Sequence, residues 1–166
     1  PKFESGGKLC MMPVNYYIMT YMAKRENIPF DGWTPSEYIA YVKGLGDGQY
    51  MLPYGGKLQT LSTLLNNSLS RFVDRAAGTC DFDNDDFREM LEFAASQPES
   101  FNFYDTLSAD DRTDYQKDNG RMYRDNRIIL NSSYIHDMAN MLSREVNVGA
   151  GEEVVYVGYP CYEGNG

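Results

Sequence analysis

Asp81, Asp83, Asp85 and Glu92 fall at the first, third, fifth and twelfth positions of a calcium-loop pattern. The sixth position, where the sharp turn needs Gly, is Asp86, and the eighth, which should be apolar, is Arg88. The segment reads instead as a helix start with acidic residues at the positive end of its dipole. Other carboxylates (Asp105, Asp110, Asp111, Glu152, Glu153) show no spacing that pairs two of them across a cleft, as glycoside hydrolysis requires. They read as a solvated acidic face. The one histidine, His136, removes His-rich metal sites and leaves a His-based triad a single candidate base. GxSxG, GxGxxG and a phosphate loop are absent, and Gly55-Gly56-Lys57 matches the last only superficially. Cys10, Cys80 and Cys161 are far apart in sequence, and their odd count leaves at least one without a disulfide partner. Without CxxC or a Cys/His cluster they read as small, mostly buried hydrophobes. Neither catalytic residues nor a metal or cofactor is expected, and the chain is read as not an enzyme.

Binding chemistry is better represented. The chain has 14 Tyr, 8 Phe and one Trp. Tyrosine joins an apolar face to a polar tip, which suits a surface that grips a polar ligand, although many tyrosines simply pack at a core edge. Two segments stand out. Tyr54-Gly55-Gly56-Lys57-Leu58-Gln59 precedes an amphipathic helical pattern, and Asn131-Ser132-Ser133-Tyr134 precedes another directly after a buried strand. Free N–H groups at a helix start, with Tyr, Lys, Gln, Asn and Ser side chains, make a polar ledge. Strand ends that feed helix starts form the usual ligand edge of an α/β sheet. Ordinary helix capping is the competing reading of both.

The elements that must position these residues follow from pattern. Residues 1–8 read as a loop. Residues 9–22 (LCMMPVNYYIMTYM) read as extended, as two short strands or one bent one, because Pro13 forbids a central helix. Thr34, Pro35 and Glu37 supply an N-cap, an N1 proline and a capping box for a helix to about Leu45. Tyr50–Pro53 reads as a short strand. A second helix spans Leu58 to Val73, with Leu58, Leu61, Leu64, Leu65, Leu69 and Phe72 on one face. After a connection containing Gly78, Asp83 caps a third helix, Asp85 to Ser96, with Phe87, Met90, Leu91 and Ala94 inward. The acidic stretch 99–120 contains a further helix. Arg127–Leu130 is a buried strand, and Ser133 caps a last helix from Tyr134 to Arg144 with Met138, Met141 and Leu142 inward. Asn147–Gly151 is a loop and Val154–Val157 a strand. Helices interleaved with strands predict a helix-rich α/β fold.

At 166 residues, one domain spanning 1–166 is expected. A net charge of −9 opposes a nucleic-acid partner and anionic lipid. Pro1-Lys2-Phe3-Glu4 lacks the apolar core of a signal peptide, and the ending shortly after a strand suggests a fragment.

Several segments, in this order, resemble bacterial extracellular solute-binding proteins of sugar-type ABC importers. GWTPSEYIAYVKGL is similar to their GWT-x-x-E helix. RFVDRAAGTCDFDNDDFREMLEFAASQP is similar to their FVD…G-x-C-x-F-D stretch, and VVYVGYPCYEGNG resembles their closing P-x-x-E-G-N-G signature. GKLCMMPVNYYIMTYMAK is similar to the segment that leads through the hinge, with Cys10 or Met11 where the family has Tyr. The likeness spans about residues 6–166.

The resemblance implies the second, C-terminal lobe of a periplasmic-binding-protein type II fold. That lobe would capture a small solute, a sugar or oligosaccharide, by closing against a first lobe and would deliver it to ABC permease subunits. It implies an extracellular, membrane-anchored lipoprotein as the full-length protein. Tyr134 takes the position of a sugar-stacking aromatic, with Tyr16, Trp33 and Tyr162 as further contacts. A single Trp is fewer than such sugar binders often use. The alternatives are a helical protein-interaction scaffold, which needs a large apolar patch, and a glycan-processing enzyme, which needs two facing carboxylates.

Overall fold

A computed structural model describes residues 4–5, 8–9 and 17–162. In chain order the elements are β1 (Glu4–Ser5), β2 (Lys8–Leu9), β3 (Ile18–Lys24), α1 (Pro35–Lys43), β4 (Tyr54–Gly55), α2 (Lys57–Leu65), β5 (Val73–Asp74) and β6 (Thr79–Cys80). There follow α3 (Asp85–Ser96), β7 (Phe101–Asn102), α4 (Ala109–Lys117), α5 (Arg121–Arg124), β8 (Asn131–Ile135), α6 (Met138–Gly149) and β9 (Val154–Tyr156). The chain is thus a mixed α/β domain with several small sheets.

The β-branched, aromatic and methionine-rich run of β3 forms the middle of a three-stranded antiparallel sheet, ordered β8-β3-β9. Met19 opposes Tyr134, Tyr21 opposes Ser132, and Ala23 opposes Val155. Side chains alternate faces along a strand, so these residues share one face. Tyr21, Ala23 and Val155 enter the main core there, with Ile28, Trp33, Tyr38, Leu64, Phe72 and Met90. The opposite face, with buried Thr20, Met22 and Ser133, is covered by α6. From that face the Tyr156 hydroxyl donates to Glu145 Oε1 at 2.9 Å. Lys24 ends the strand with a buried stem, and its Nζ reaches Glu152 at 3.0 Å and the Arg124 carbonyl at 3.1 Å.

Helix α1 starts as its sequence dictates. The Glu37 N–H donates to Thr34 Oγ1 and the Thr34 N–H to Glu37 Oε2, which completes the capping box. Trp33, just before the cap, is 3% exposed. Its Nε1–H donates to the Gly158 carbonyl at 3.1 Å, and its ring meets Tyr38 edge-on. A smaller core unites Phe103, Tyr115, Met122 and Ile128 beneath α4 and α5.

Several expected boundaries move. Glu4 and Ser5 pair antiparallel with Leu9 and Lys8, where residues 1–8 were expected as a loop. Tyr50 makes only an isolated parallel bridge to Ile128 instead of a strand, and in Arg127–Leu130 the three apolar residues are buried and Arg127 half-buried, with none of the four in a named strand. Helix α2 stops at Leu65. Ser68 is buried and donates to the Pro160 carbonyl at 3.2 Å, and a single 3-10 turn, Leu69–Arg71, follows. The 74–82 connection holds the β5–β6 hairpin. Asn84, not Asp83, caps α3, and Leu91 faces solvent while Phe93 is buried. Cys80 is exposed and Cys161 buried, and Cys10 lies outside the described residues.

The largest change concerns residues 131–149. Ser133 is inside strand β8, where pairing with β3 outweighs its capping tendency. Asp137 caps the last helix, accepting from the Asn140 N–H at 2.7 Å, and α6 runs on to Gly149. Met138 and Leu142 are exposed rather than inward. No helix among the described residues is long and apolar enough to cross a membrane.

Replacing Trp33 with Ala removes a core ring and a buried hydrogen bond, so urea denaturation should show a loss of about 3–5 kcal/mol. Thr34→Ala, which removes only the cap, should cost about 1 kcal/mol. Equal midpoints for Trp33→Ala and the parent would contradict this placement.

Candidate functional site

Beyond the core the sheet runs on into solvent. Met19 and Tyr134 face each other across β3 and β8, with Ser132 beside Tyr21 one step inward. Tyr17 adds a ring whose centroid lies 5.8 Å from that of Tyr134. Opposite this sheet end stands the segment Leu52–Gly55. It is held by pairing of Tyr54 with Asn102 and Gly55 with Phe101, and by the Phe103 N–H donating to the Pro53 carbonyl at 2.8 Å.

Gly56 makes this approach possible. Its φ is +145°, and a Cβ there would lie 2.5 Å from the Glu99 carbonyl oxygen. The chain can therefore turn directly into α2, whose first N–H, that of Lys57, donates to the Pro98 carbonyl. Helix α2 then presents Gln59 to the sheet end and buries Thr63, whose Oγ1 is 3.2 Å from the Tyr21 hydroxyl. Burial pushes the Tyr21 hydroxyl well above the usual tyrosine range, so it stays protonated at every physiological pH.

Sheet end, loop and helix enclose a hollow of about 490 Å³. Met19, Tyr54, Gln59, Phe101, Ser132 and Tyr134 form its walls, with Tyr21 and Tyr159 at the base. The bases of this wall are firm, since the Tyr21 and Tyr159 centroids lie 4.4 Å apart. Among the described residues no Asp, Glu, Lys, Arg or His lines it. A second cavity of about 380 Å³, between α1, α2 and α3, shares the wall made by Leu52, Tyr54, Gly55, Gln59 and Phe101, and among the described residues it too is lined by no charged side chain. Such walls offer ring faces, hydroxyls and an amide, which suit binding of a neutral polar solute.

Tyr54, Gln59, Ser132 and Tyr134, from the two ledge segments picked out in the sequence, thus meet around one hollow. Ser132 and Tyr134 reach it from a strand, however, and not from a helix start. Lys57 points away and pairs with Glu99 at 3.2 Å. Asn131, on the other face of β8, accepts from Ser133 Oγ at 2.8 Å and lines a separate hollow beyond Tyr54. Trp33 is in the core. Tyr162 packs against Phe72 and under the Arg71 guanidinium, and does not line the hollow. Tyr16 lies outside the described residues. Met19 and Phe101 were not foreseen. The alternation of Met19 and Tyr21 along an extended segment is the signal that could have found the first.

Around the acidic helix start, Arg88 pairs with Asp85 at 2.6 Å and with Asp83, while Asn84 caps. Among the described residues no cluster of His, Cys, Asp and Glu is placed to hold a metal ion. Comparison of the chain with protein-family models, curated proteins and solved structures finds no match.

Tyr54 and Tyr134 are 57% and 45% exposed, so Tyr54→Ala and Tyr134→Ala should each change stability by no more than about 0.5 kcal/mol. Tyr21→Phe, which leaves the Thr63 hydroxyl without its buried partner, should cost about 1 kcal/mol. Chemical denaturation of the three variants checks this, and a large loss from Tyr134→Ala would make it a packing residue.

Proposed function

We propose that this chain is a solute-capturing lobe of an extracellular binding protein of the ABC-importer type, with a sugar or oligosaccharide as its ligand. One observation carries the reading. Two segments far apart in sequence, 52–59 and 132–134, bring tyrosine, amide and hydroxyl groups to one hollow with no charged side chain among its described lining residues, in a chain of net charge −9. Tyrosine faces pack on the C–H faces of a sugar ring, while Gln59 and Ser132 meet its hydroxyls. The uncharged lining among the described residues favours a neutral solute over a polyamine or a charged peptide at this place.

The order of the solute-binding motifs supports the same reading. On it, the fold is the second lobe of a periplasmic-binding-protein type II architecture, and the full-length protein is an extracellular lipoprotein. Its first lobe supplies the other wall of the cleft, and hinge closure delivers solute to a permease. One lobe alone supplies half the contacts and binds weakly.

A second reading has one observation behind it. Met138, Leu142 and Val146 are 65%, 51% and 68% exposed and lie at four-residue steps along α6, an apolar stripe of the kind an interaction scaffold presents. The stripe lies on the helix that covers the other face of the sheet, so the two readings make separate demands.

A thermal-shift series with neutral mono- and oligosaccharides tests the first. Binding should raise Tm by about 2–4 °C for each kcal/mol of linkage, and Tyr134→Ala should weaken binding about tenfold, or about 1.4 kcal/mol. Unchanged Tm with every sugar, an unaffected Tyr134→Ala variant, or release of reducing ends would overturn it.

A further inference from the structure

Arg144 does not behave like the other arginines that the fold half-buries or braces. Arg25, Arg71, Arg88, Arg112, Arg121 and Arg124 each pair with a carboxylate, and Arg127 donates to the Gly48 carbonyl. Arg144 is half-buried on α6, makes no hydrogen bond or ion pair with any described residue, and has its Nε closed off from solvent. A guanidinium taken partly out of water without a counter-charge is costly. In a chain with 24 acidic and 15 basic residues, a carboxylate partner would be easy to supply.

The side chain lines a hollow of about 420 Å³ on the far side of Tyr54, with Tyr104, Tyr123, Asn131 and Asn119. The other charged groups there are already engaged: Asp118 is held by Arg124, and Lys117 lies 3.8 Å from Asp114. The Tyr104 hydroxyl donates to Asn119 Oδ1 at 3.1 Å. Burial raises the Tyr123 hydroxyl above its ordinary range, with Asn131 and the Arg144 charge offsetting part of this, so Tyr123 remains an O–H donor at neutral pH. Pro53 and Tyr54 belong to this hollow and to the neutral one beside it.

We infer that this second hollow holds the carboxylate of an acidic saccharide, with Arg144 as the counter-charge and Tyr123 as a hydrogen-bond donor. The planar fork of a guanidinium matches a carboxylate in two hydrogen bonds, which a hydroxyl cannot reproduce. A ligand lying across Tyr54 would set its ring on the tyrosine ledge and its charged substituent against Arg144. The inference rests on the solute-binding reading and narrows it from sugars in general to those bearing a carboxylate. It also gives Asn131 a role, on the opposite side of β8 from Ser132 and Tyr134.

Calorimetric titration of galacturonate and galactose into the chain, Arg144→Gln and Arg144→Lys tests it. Galacturonate should bind about tenfold or more tightly than galactose. Arg144→Gln should erase that margin and leave galactose unchanged, and Arg144→Lys should restore part of it. Inorganic sulfate should compete weakly with galacturonate, since it lacks a ring for the ledge. Tyr123→Phe, which removes only a donor, gives an independent variant and should narrow the margin by a smaller factor. Equal binding of the two sugars, or a margin that survives Arg144→Gln, overturns the acidic site and leaves the solute-binding reading standing. Absence of binding by both sugars overturns the acidic site, and the solute-binding reading falls with it only if the thermal-shift series also shows no shift with any sugar.

Discussion

The pairing of β3 with β8 on one edge and β9 on the other is the constraint from which the rest of the arrangement follows. A central strand has no free edge, so its alternation fixes what each flanking layer must cover. One face, through Tyr21 and Ala23, is the floor of the main core. The other, through Thr20 and Met22, requires the cover that α6 provides. The segment after β9 is drawn into the same framework. The Val157 N–H donates to the Tyr21 carbonyl, Gly158 accepts from Trp33, and the Cys161 N–H donates to the Trp33 carbonyl. Strand, tryptophan and C-terminal segment therefore brace one another.

The hollow inherits its character from this framework. Where β3 leaves the core its inward face continues as Met19, and Tyr134 follows by register. The Tyr21–Thr63 contact ties α2 to the sheet, and the close approach at Gly56 brings Tyr54 and Gln59 to the opposite wall. Charged side chains, frequent elsewhere, are spent on surface pairs such as Lys57–Glu99 and Arg71–Asp86. The result is a tyrosine ledge with no charged side chain among its described lining residues, on an acidic domain, and across a shared wall stands Arg144, without a partner among the described residues.

Local sequence decides structure where local energetics dominate. The α1 boundary is written in Thr34, Pro35 and Glu37, and the capping box forms as those residues demand. The end of β8 and the start of α6 were misplaced because Ser133 and Asp137 are both good caps. The choice between them is made by pairing with β3, more than a hundred residues away in sequence. Tyr54, Gln59, Ser132 and Tyr134 were legible as polar and aromatic groups beside turns, yet the expected helix-start geometry was wrong for two of them. Trp33, a ligand contact only on the family resemblance, lies in the core because its ring packs on Tyr38 and its Nε1–H meets the Gly158 carbonyl, 125 residues away in sequence. Arg144 carries no local signal at all. Its lack of a partner among the described residues shows only once Arg25, Arg71, Arg88, Arg112, Arg121, Arg124 and Arg127 are placed with theirs.

The central claim is that residues from β3, β8, α2 and the 52–55 segment act as one ligand surface. Amide chemical-shift mapping during titration with a neutral disaccharide tests it directly. Perturbations should centre on Met19, Tyr54, Gln59, Ser132 and Tyr134 and fade toward the exposed stripe of α6. Shifts concentrated at Met138, Leu142 and Val146, or scattered without a focus, would contradict the account.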